Sequence, residues 1–117
     1  MKRLPSGLLL LASFAFAGAA PGADQATIQK GEKVFDYWCA TCHGPGLAGT
    51  VALETKYKGA KPALLSERTD LIPPVTKTFV RKGVSIMPFF RKTEISDQDL
   101  DALASYLARN NRAAKPR

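Results

Sequence analysis

The chain has 117 residues, of which 45% are hydrophobic and 9% aromatic, and its formal net charge is +7. A chain of this length forms one domain, and a domain of this size buries only a limited core by itself. The basic residues are scattered without a recognition motif, so the charge indicates an acidic docking partner and not a nucleic acid.

The N-terminus has the organisation of a secretory signal peptide. Lys2 and Arg3 precede an apolar run over residues 4–16, and small residues follow it. Cleavage after Ala17 or after Ala19 fits this pattern. We therefore expect export to the periplasm.

Cleavage at the second site gives a signal peptide over residues 1–19 and a domain over residues 20–117. A retained membrane anchor is the alternative, but the apolar run is shorter than the roughly 20 residues that span a bilayer. We expect no stable membrane insertion. Cleavage removes Lys2 and Arg3 and no acid, so the net charge of +7 becomes +5.

A first helix is predicted to begin at Asp24 or Thr27, because either side chain can cap it. Its apolar positions recur at helical spacing: Ile28, Gly31, Phe35 and Trp38. The helix is expected to continue directly into Cys39, which joins its apolar face to the motif that follows.

The sequence Cys39-Ala40-Thr41-Cys42-His43 is the C-x-x-C-H signature of c-type haem attachment. In such a site each thiol adds to a haem vinyl group, and the histidine serves as the proximal iron ligand. The chain has no other cysteine and no other histidine, so no rival set of ligands exists. The motif predicts one covalent haem c, held by Cys39, Cys42 and His43.

Three other interpretations of the motif explain it less well. A disulfide between Cys39 and Cys42 would be strained and would leave His43 unexplained. A structural zinc site needs four ligands, and only three are present. A thioredoxin-like thiol pair needs a βαβ context, which the sequence lacks. An exported thiol or metal-binding module without haem is therefore a remote alternative.

The segment after the motif is predicted to be irregular. Glycines make residues 44–49 non-helical, and the polar residues 50–61 indicate a solvated loop with room for one helical turn. A backbone carbonyl near Pro62 is a candidate acceptor for the ring N–H of His43. Two leucines are expected to line the haem pocket: Leu64 and Leu65.

The next helix is predicted to open at Pro73-Pro74, since proline is tolerated in a first turn, and to end before Gly83. Its predicted apolar residues are Val75, Phe79 and Val80. Met87 follows on a loop that Pro88 bounds. Once Met1 is removed it is the only methionine, so its thioether is predicted to be the second axial ligand. A methionine in the core is the alternative.

The last helix is predicted from Ser96, with Asp99 completing a near capping box and Ile95 and Leu100 forming a hydrophobic staple. One stripe of apolar residues marks its inner face: Leu100, Leu103, Ala104 and Leu107. Residues 110–117 are expected to form a frayed basic tail. No strand is indicated, so the fold class is all-α.

Four features together resemble the class I cytochrome c family over about residues 28–109: Cys39-x-x-Cys42-His43, Pro62-Ala63-Leu64, Met87-Pro88 and a terminal helix with Tyr106. The resemblance implies helices wrapped around one covalently attached haem. It also implies that the first and last helices cross, with Gly31 and Phe35 meeting Tyr106. The function implied is single-electron transfer, with no catalytic residue of the chain's own.

Residues 80–90 and 95–103 resemble the cytochrome subunit of flavocytochrome 4-alkylphenol hydroxylases, the p-cresol methylhydroxylase and eugenol hydroxylase type. This resemblance implies an FAD-containing partner that oxidises the phenol and passes electrons singly to the haem. A downstream acceptor, such as a small copper protein or another cytochrome, would follow. A free cytochrome shuttle of a respiratory chain is the alternative, and the two functions share every haem ligand.

The residues after the predicted ligand loop are candidates for the docking surface. Phe89 and Phe90 are predicted to lie near the haem edge, flanked by Arg91 and Lys92. An exposed aromatic pair between cations suits a protein interface. Core packing of at least one of the two rings is the alternative.

Overall fold

The structure, a computed structural model, describes residues 23–114. The predicted signal peptide over residues 1–19 and the last three residues of the tail lie outside this range. Five α-helices are described: α1 (Gln25–Trp38), α2 (Ala40–His43), α3 (Ala48–Tyr57), α4 (Pro73–Lys82) and α5 (Asp97–Ala108). Two short 3₁₀ turns, Leu65–Glu67 and Arg112–Ala114, complete the secondary structure of this part of the chain.

The termini of the helices follow the predicted capping residues closely. Asp24 caps α1 by accepting a hydrogen bond of 2.7 Å from the amide of Thr27. Ser96 caps α5 by accepting from the amide of Asp99, and its hydroxyl donates to the Asp99 carboxylate at 2.7 Å. Both predictions are confirmed. Of the two candidates for the N-cap of α1, Asp24 and Thr27, the structure has Asp24.

Helices α1 and α5 cross at very close range. A methyl group on Gly31 would lie 2.1 Å from the carbonyl oxygen of Ala102, so the two backbones touch where α1 has no side chain. One helical turn further on, the rings of Phe35 and Tyr106 pack with their centroids 5.8 Å apart. The crossing implied by the resemblance is therefore confirmed.

The core lies between α1, α4 and α5. Its buried members come mostly from α5 and from the residue before the N-cap of α5: Phe35, Val80, Ile95, Leu100, Leu103, Tyr106 and Leu107. Helix α4 contributes less than predicted, because only Val80 of its three expected apolar residues is buried. Val75 and Phe79 are 38% and 44% exposed, and Thr76 is buried in their place. Helix α4 thus presents a second apolar face away from the core.

The prediction of a solvated loop over residues 50–61 is wrong. Helix α3 runs for ten residues and ends at Tyr57, and the residue that caps it, Lys58, has a positive φ of 49°. The prediction that residues 44–49 are non-helical is correct for residues 44–47 only, since α3 begins at Ala48. Strong helix formers near its middle, such as Ala52, Leu53 and Glu54, outweigh the glycine at its start.

The beginning of the predicted frayed tail is anchored. Asn110 donates a hydrogen bond to the carbonyl of Ser66, and Asn111, which is buried, donates to the carbonyl of Leu71. These amides hold the end of α5 against the segment before α4. In the part of the chain between residues 23 and 114, no helix is long and apolar enough to cross a membrane.

Candidate functional site

The C-x-x-C-H motif is wound into one helical turn at the end of α1. The amide of Cys39 donates to the carbonyl of Phe35 at 2.8 Å, and the amide of His43 donates to the carbonyl of Cys39 at 2.9 Å. Cys39 and Cys42 are three residues apart, which places side chains on the same face of a helix. The long helix α1, fixed by its crossing with α5, therefore holds both thiols on one side.

Both thiols are free in the structure. Burial, with a smaller contribution from neighbouring Cys42, raises the pKa of Cys39 to about 12. A reactive thiol pair of the thioredoxin kind needs the opposite, a lowered pKa that produces a thiolate. Within residues 23–114, no three His, Cys, Asp or Glu side chains cluster in a way that could hold a metal ion. The raised pKa of Cys39 does not favour the thiol interpretation.

The imidazole of His43 is half-buried, and burial lowers its pKa below the ordinary value. A lowered pKa keeps the ring neutral, which is the form that binds a metal. The Nδ1 atom is buried and has no hydrogen-bond partner among the described residues. The predicted bond to a backbone carbonyl near Pro62 is therefore not formed in the structure.

Helix α3 contacts His43 through Gly49. A methyl group on Gly49 would lie 3.0 Å from Cε1 and 3.1 Å from Nδ1 of the ring, and 2.8 Å from the carbonyl oxygen of Cys42. The next residue, Thr50, is 1% exposed, and its hydroxyl donates to the carbonyl of Gly44 at 2.8 Å. Neither residue belongs to the sequence-predicted site. A glycine followed by a hydroxyl residue soon after the motif is the signal that the sequence offers for them.

Met87 lies on a tight loop after α4. The amides and carbonyls of Val84 and Met87 bond to each other, with distances of 3.1 and 2.9 Å. Gly83 and Ser85 both have positive φ, 69° and 53°, which folds the loop back on the end of the helix. The Met87 side chain is half-buried and packs beside the core cluster.

An aromatic contact brings the Met87 loop to the attachment motif. The ring of Phe90 meets the edge of Trp38, with centroids 5.8 Å apart and planes at 74°. Trp38 directly precedes Cys39, and Phe90 follows Met87 by three residues. The amide of Phe90 donates to the carbonyl of Val80, and Arg81 donates to the carbonyl of Phe90. The loop and the motif are thus held on the same part of the domain.

Three segments around these residues leave large apolar side chains exposed: Leu47 and Val51 at α3, Ile72, Val75 and Phe79 at α4, and Val84 in the Met87 loop. On a monomer with such a small core, exposed apolar surface of this extent usually marks a binding site. A flat macrocycle with two vinyl groups and an iron needs apolar walls, two thiols, an imidazole and a soft ligand. The residues present fit a c-type haem.

Comparison with known proteins identifies the family. The sequence profile of the family described as "Cytochrome C oxidase, cbb3-type, subunit III" matches residues 26–107. The chain belongs to the class I cytochrome c family. It is also 32% identical over 107 residues to a protein named cytochrome c6 from Pyropia yezoensis, covering 92% of this chain and 93% of that protein. No solved structure matches the chain.

Membership of the family gives the cofactor and the general function. This cytochrome c binds one covalent haem c, carries electrons, and is not an enzyme by itself. The remote alternative of a thiol or metal module without haem is therefore wrong. The assignment of the thioethers to Cys39 and Cys42, and of the axial positions to His43 and Met87, remains a prediction.

Proposed function

We propose that this cytochrome c works in the periplasm and accepts single electrons from an FAD-containing flavoprotein of the 4-alkylphenol hydroxylase type. Cys39 and Cys42 would hold the haem through thioethers, and His43 and Met87 would bind its iron. The bound haem would supply a one-electron redox centre. With both side chains bound to the iron, no substrate would reach the metal, so the protein would transfer electrons without doing chemistry on a substrate.

The chemical character of the two axial side chains suits this role. Burial keeps His43 neutral, so its imidazole is ready to bind without first losing a proton. The thioether of Met87 is a soft ligand that raises the reduction potential relative to two imidazoles. The loop that carries Met87 is anchored at both ends, by Gly83 and by the Trp38–Phe90 contact. Such a fixed ligand favours electron transfer with little rearrangement.

The choice of an FAD-containing partner rests on the resemblance of residues 80–90 and 95–103. The surface that supports docking of a protein is formed by Ile86 and Phe89, on either side of Met87-Pro88. These side chains are 82% and 60% exposed, the largest apolar exposures in the loop. Protein partners bury exposed aromatic and aliphatic anchors of this kind. Phe90, by contrast, packs on Trp38, so only one ring of the predicted aromatic pair belongs to the surface.

The cations beside this surface are already paired. Arg91 lies 3.6 Å from Glu94, and Lys92 lies 2.7 Å from Asp97. Ion pairs this exposed add little stability, but their charges still act on an approaching partner. We therefore expect the apolar contact to set the affinity, and Arg91 and Lys92 to influence the rate of association at low salt.

The test is the rate at which the ferric holoprotein is reduced by the FAD subunit of a p-cresol methylhydroxylase that has been reduced with p-cresol. We expect the wild-type cytochrome to be reduced rapidly. With the cytochrome at limiting concentration, the double variant Ile86→Ser, Phe89→Ser should be reduced about tenfold more slowly, because two interface anchors are lost. Tyr37→Ser is the control, since Tyr37 is 76% exposed but lies on α1. Equal rates for all three proteins would reject the docking surface.

Charge reversal gives an independent test of the same surface. Arg91→Glu together with Lys92→Glu should slow association at low salt and lose that effect at high salt. Lys33→Glu on α1, at an exposed lysine outside the Met87 loop, is the control. Association that does not change in the double variant contradicts a docking role for these cations.

A free respiratory shuttle is the second candidate. The similarity to a protein named cytochrome c6, which extends over 93% of that protein's length, favours a cytochrome that works as a separate chain. Purification of the protein from its natural source separates the candidates. A stable complex with an FAD protein supports the flavocytochrome subunit, whereas a lone cytochrome that reduces a small copper protein or another cytochrome supports the shuttle.

The periplasmic location is tested by the mature N-terminus. We expect mass spectrometry of the exported holoprotein to show a chain that begins after Ala17 or after Ala19, because these sites follow the small-residue rule for signal cleavage. A chain that keeps Met1 and partitions with the membrane would contradict both the cleavage and the location.

A further inference from the structure

We propose that Arg81 is a positioning residue, which keeps the thioether of Met87 available to the haem iron by holding the end of the Met87 loop against α4. This inference rests on the proposed role of Met87 as the second axial ligand. It assigns the retention of that ligand to a side chain outside the loop, in the last turn of the helix that precedes it.

The backbone of Phe90, where the loop ends, is bonded at both of its polar groups. Its amide donates to the carbonyl of Val80 at 2.8 Å, and its carbonyl accepts from Nη1 of Arg81 at 3.1 Å. Two successive residues of α4 therefore hold one residue of the loop. The Val80 carbonyl belongs to the last turn of α4, where a helix has no internal partners for its carbonyls, so the same contact completes the helix end.

The second arm of the guanidinium reaches another helix. Nη2 of Arg81 donates to Oδ1 of Asp97, the first residue of α5, at 2.9 Å. Hydrogen bonds from Lys92 and from Arg81 hold the pKa of Asp97 below its ordinary value, so this carboxylate is charged at neutral pH. Because a guanidinium is planar and rigid, two acceptors fix its direction. The carbonyl of Phe90 is thereby tied to α4 and to α5 at once.

Burial distinguishes Arg81 from the other cations beside the loop. Its side chain is 22% exposed, whereas those of Arg91 and Lys92 are 72% and 74% exposed. The bond from Arg81 to the Phe90 carbonyl is partly buried, so loss of the guanidinium carries the cost of a partly desolvated acceptor. Arg81 therefore acts within the fold, while the two exposed cations face an approaching partner.

The beginning of the loop is fixed in a different way. Gly83 lies against the main chain of Met87, within 2.7 Å of its carbonyl oxygen for an added methyl group. At the other end, without Arg81, the amide of Phe90 and the packing of its ring on Trp38 would be left to hold the loop. A thioether favours ferrous iron, so the ferric protein is the state in which a loosened loop would release Met87.

The deciding experiment measures the affinity of the ferric holoprotein for added imidazole, which binds only where Met87 has left the iron. Arg81→Met keeps an unbranched side chain and removes both bonds of the guanidinium. The released fraction, and with it the apparent affinity for imidazole, should rise about tenfold, the usual effect of losing a hydrogen bond to a charged group. The charge-transfer band between the thioether and ferric iron should weaken in parallel.

Lys77→Met is the matched control. Lys77 also joins α4 to α5, through its ion pair with Asp101, and its replacement changes the net charge by the same amount. Since that pair does not involve the Met87 loop, the affinity for imidazole should stay at the wild-type value. If Arg81→Met carries too little covalent haem, Arg81→Lys replaces it. That variant keeps the charge but lacks the fork that holds two acceptors, so the affinity should still rise, by less than tenfold.

Two results overturn the role of Arg81. A wild-type affinity for imidazole in the Arg81 variant, even with a lower thermal stability, would leave Arg81 a role in folding alone. An equal rise in Lys77→Met would show that loss of any ion pair between α4 and α5 has the same effect. A failure of the proposed function looks different: the wild type itself would lack the charge-transfer band and would bind imidazole as tightly as Met87→Ala.

Discussion

Gly83 lies directly against the main chain of Met87. A methyl group on Gly83 would come within 2.7 Å of the Met87 carbonyl oxygen and within 3.0 Å of the amide nitrogen of Phe89. Its φ of 69° is also in the region that favours glycine. The end of α4 and the loop that carries the predicted ligand therefore fit together only because this position has no side chain.

Gly83→Ala should displace the Met87 loop. A φ of 69° with a ψ of 173° is adopted almost only by glycine, and it costs a residue with a Cβ about 1–3 kcal/mol. The contact with Met87 adds to this cost, so we expect the free energy of unfolding to fall by at least about 2 kcal/mol. The reduction potential should fall as well, because a displaced thioether binds the iron less well. Denaturant titration and potentiometry of the holoprotein measure the two effects.

Gly59→Ala is the matched control for that variant. Gly59 has a similar φ of 82°, but nothing lies within 4 Å of the position that a methyl group would take. We expect only the conformational cost, about 1–2 kcal/mol, and an unchanged potential. A potential that is unchanged in Gly83→Ala too would show that Gly83 does not position Met87.

Replacement of Met87 itself tests the sixth ligand. Met87→Ala should lower the reduction potential by on the order of 0.1 V, within the roughly 0.8 V range that axial ligands span. It should also open the iron to added ligands, which visible spectroscopy detects. Ile86→Ala changes the neighbouring, 82% exposed side chain and should alter neither property. If the Met87→Ala protein kept the wild-type potential and spectrum, Met87 would not be an iron ligand and would only pack in the core.

Sequence reasoning succeeded where one local signal determines the structure. Asp24, Ser96 and Gly83 mark helix ends because capping depends on a few neighbouring atoms, and each was found. The crossing of Gly31 with Tyr106 came from resemblance to a family, since periodicity alone cannot say which helix a glycine meets.

The errors concern residues whose conformation depends on distant contacts. Helix α3 was missed because its glycine and charged residues look like a loop, whereas the buried bond of Thr50 and the packing of Gly49 stabilise its first turn. The predicted bond from the His43 ring to a carbonyl near Pro62 is not formed in the structure either. Burial of Thr76 in place of Val75 was equally invisible in the sequence.

The helix crossing predicts the most damaging glycine substitution. In Gly31→Ala the new methyl group would lie 2.1 Å from the Ala102 oxygen and 2.7 Å from Cβ of Tyr106. Neither of these two atoms can move without shifting α5. Overpacking of a rigid core costs about 1–3 kcal/mol and sometimes more, and we expect at least about 3 kcal/mol here. Thermal unfolding of the holoprotein measures the loss. A loss below about 1 kcal/mol would mean that α1 and α5 can separate freely.

The buried cation Arg68 predicts a stability that depends on pH through Asp70. Arg68 is 5% exposed, bonds to Asp70 at 2.6 and 2.9 Å, and lies over the ring of Tyr57. The Arg68 guanidinium, with help from Lys61, holds the pKa of Asp70 well below its usual range. A carboxylate with a lowered pKa stabilises the fold fully above its ordinary value near 4, and the contribution is lost as the pH falls toward the pKa in the folded state.

Asp70→Asn should therefore lower the free energy of unfolding by about 1–3 kcal/mol at pH 7, because it leaves the buried charge of Arg68 without its carboxylate. The difference from the wild type should shrink below about pH 4. In that range the Asp70 carboxylate of the wild type takes up a proton when the chain unfolds, and this uptake favours unfolding. Asp101→Asn is the control: it removes an exposed ion pair with Lys77 and should cost less than about 1 kcal/mol. Urea titrations of the holoprotein at pH 7 and at pH 3 measure all three proteins, and a deficit of the same size at both pH values would show that the carboxylate charge of Asp70 does not stabilise Arg68.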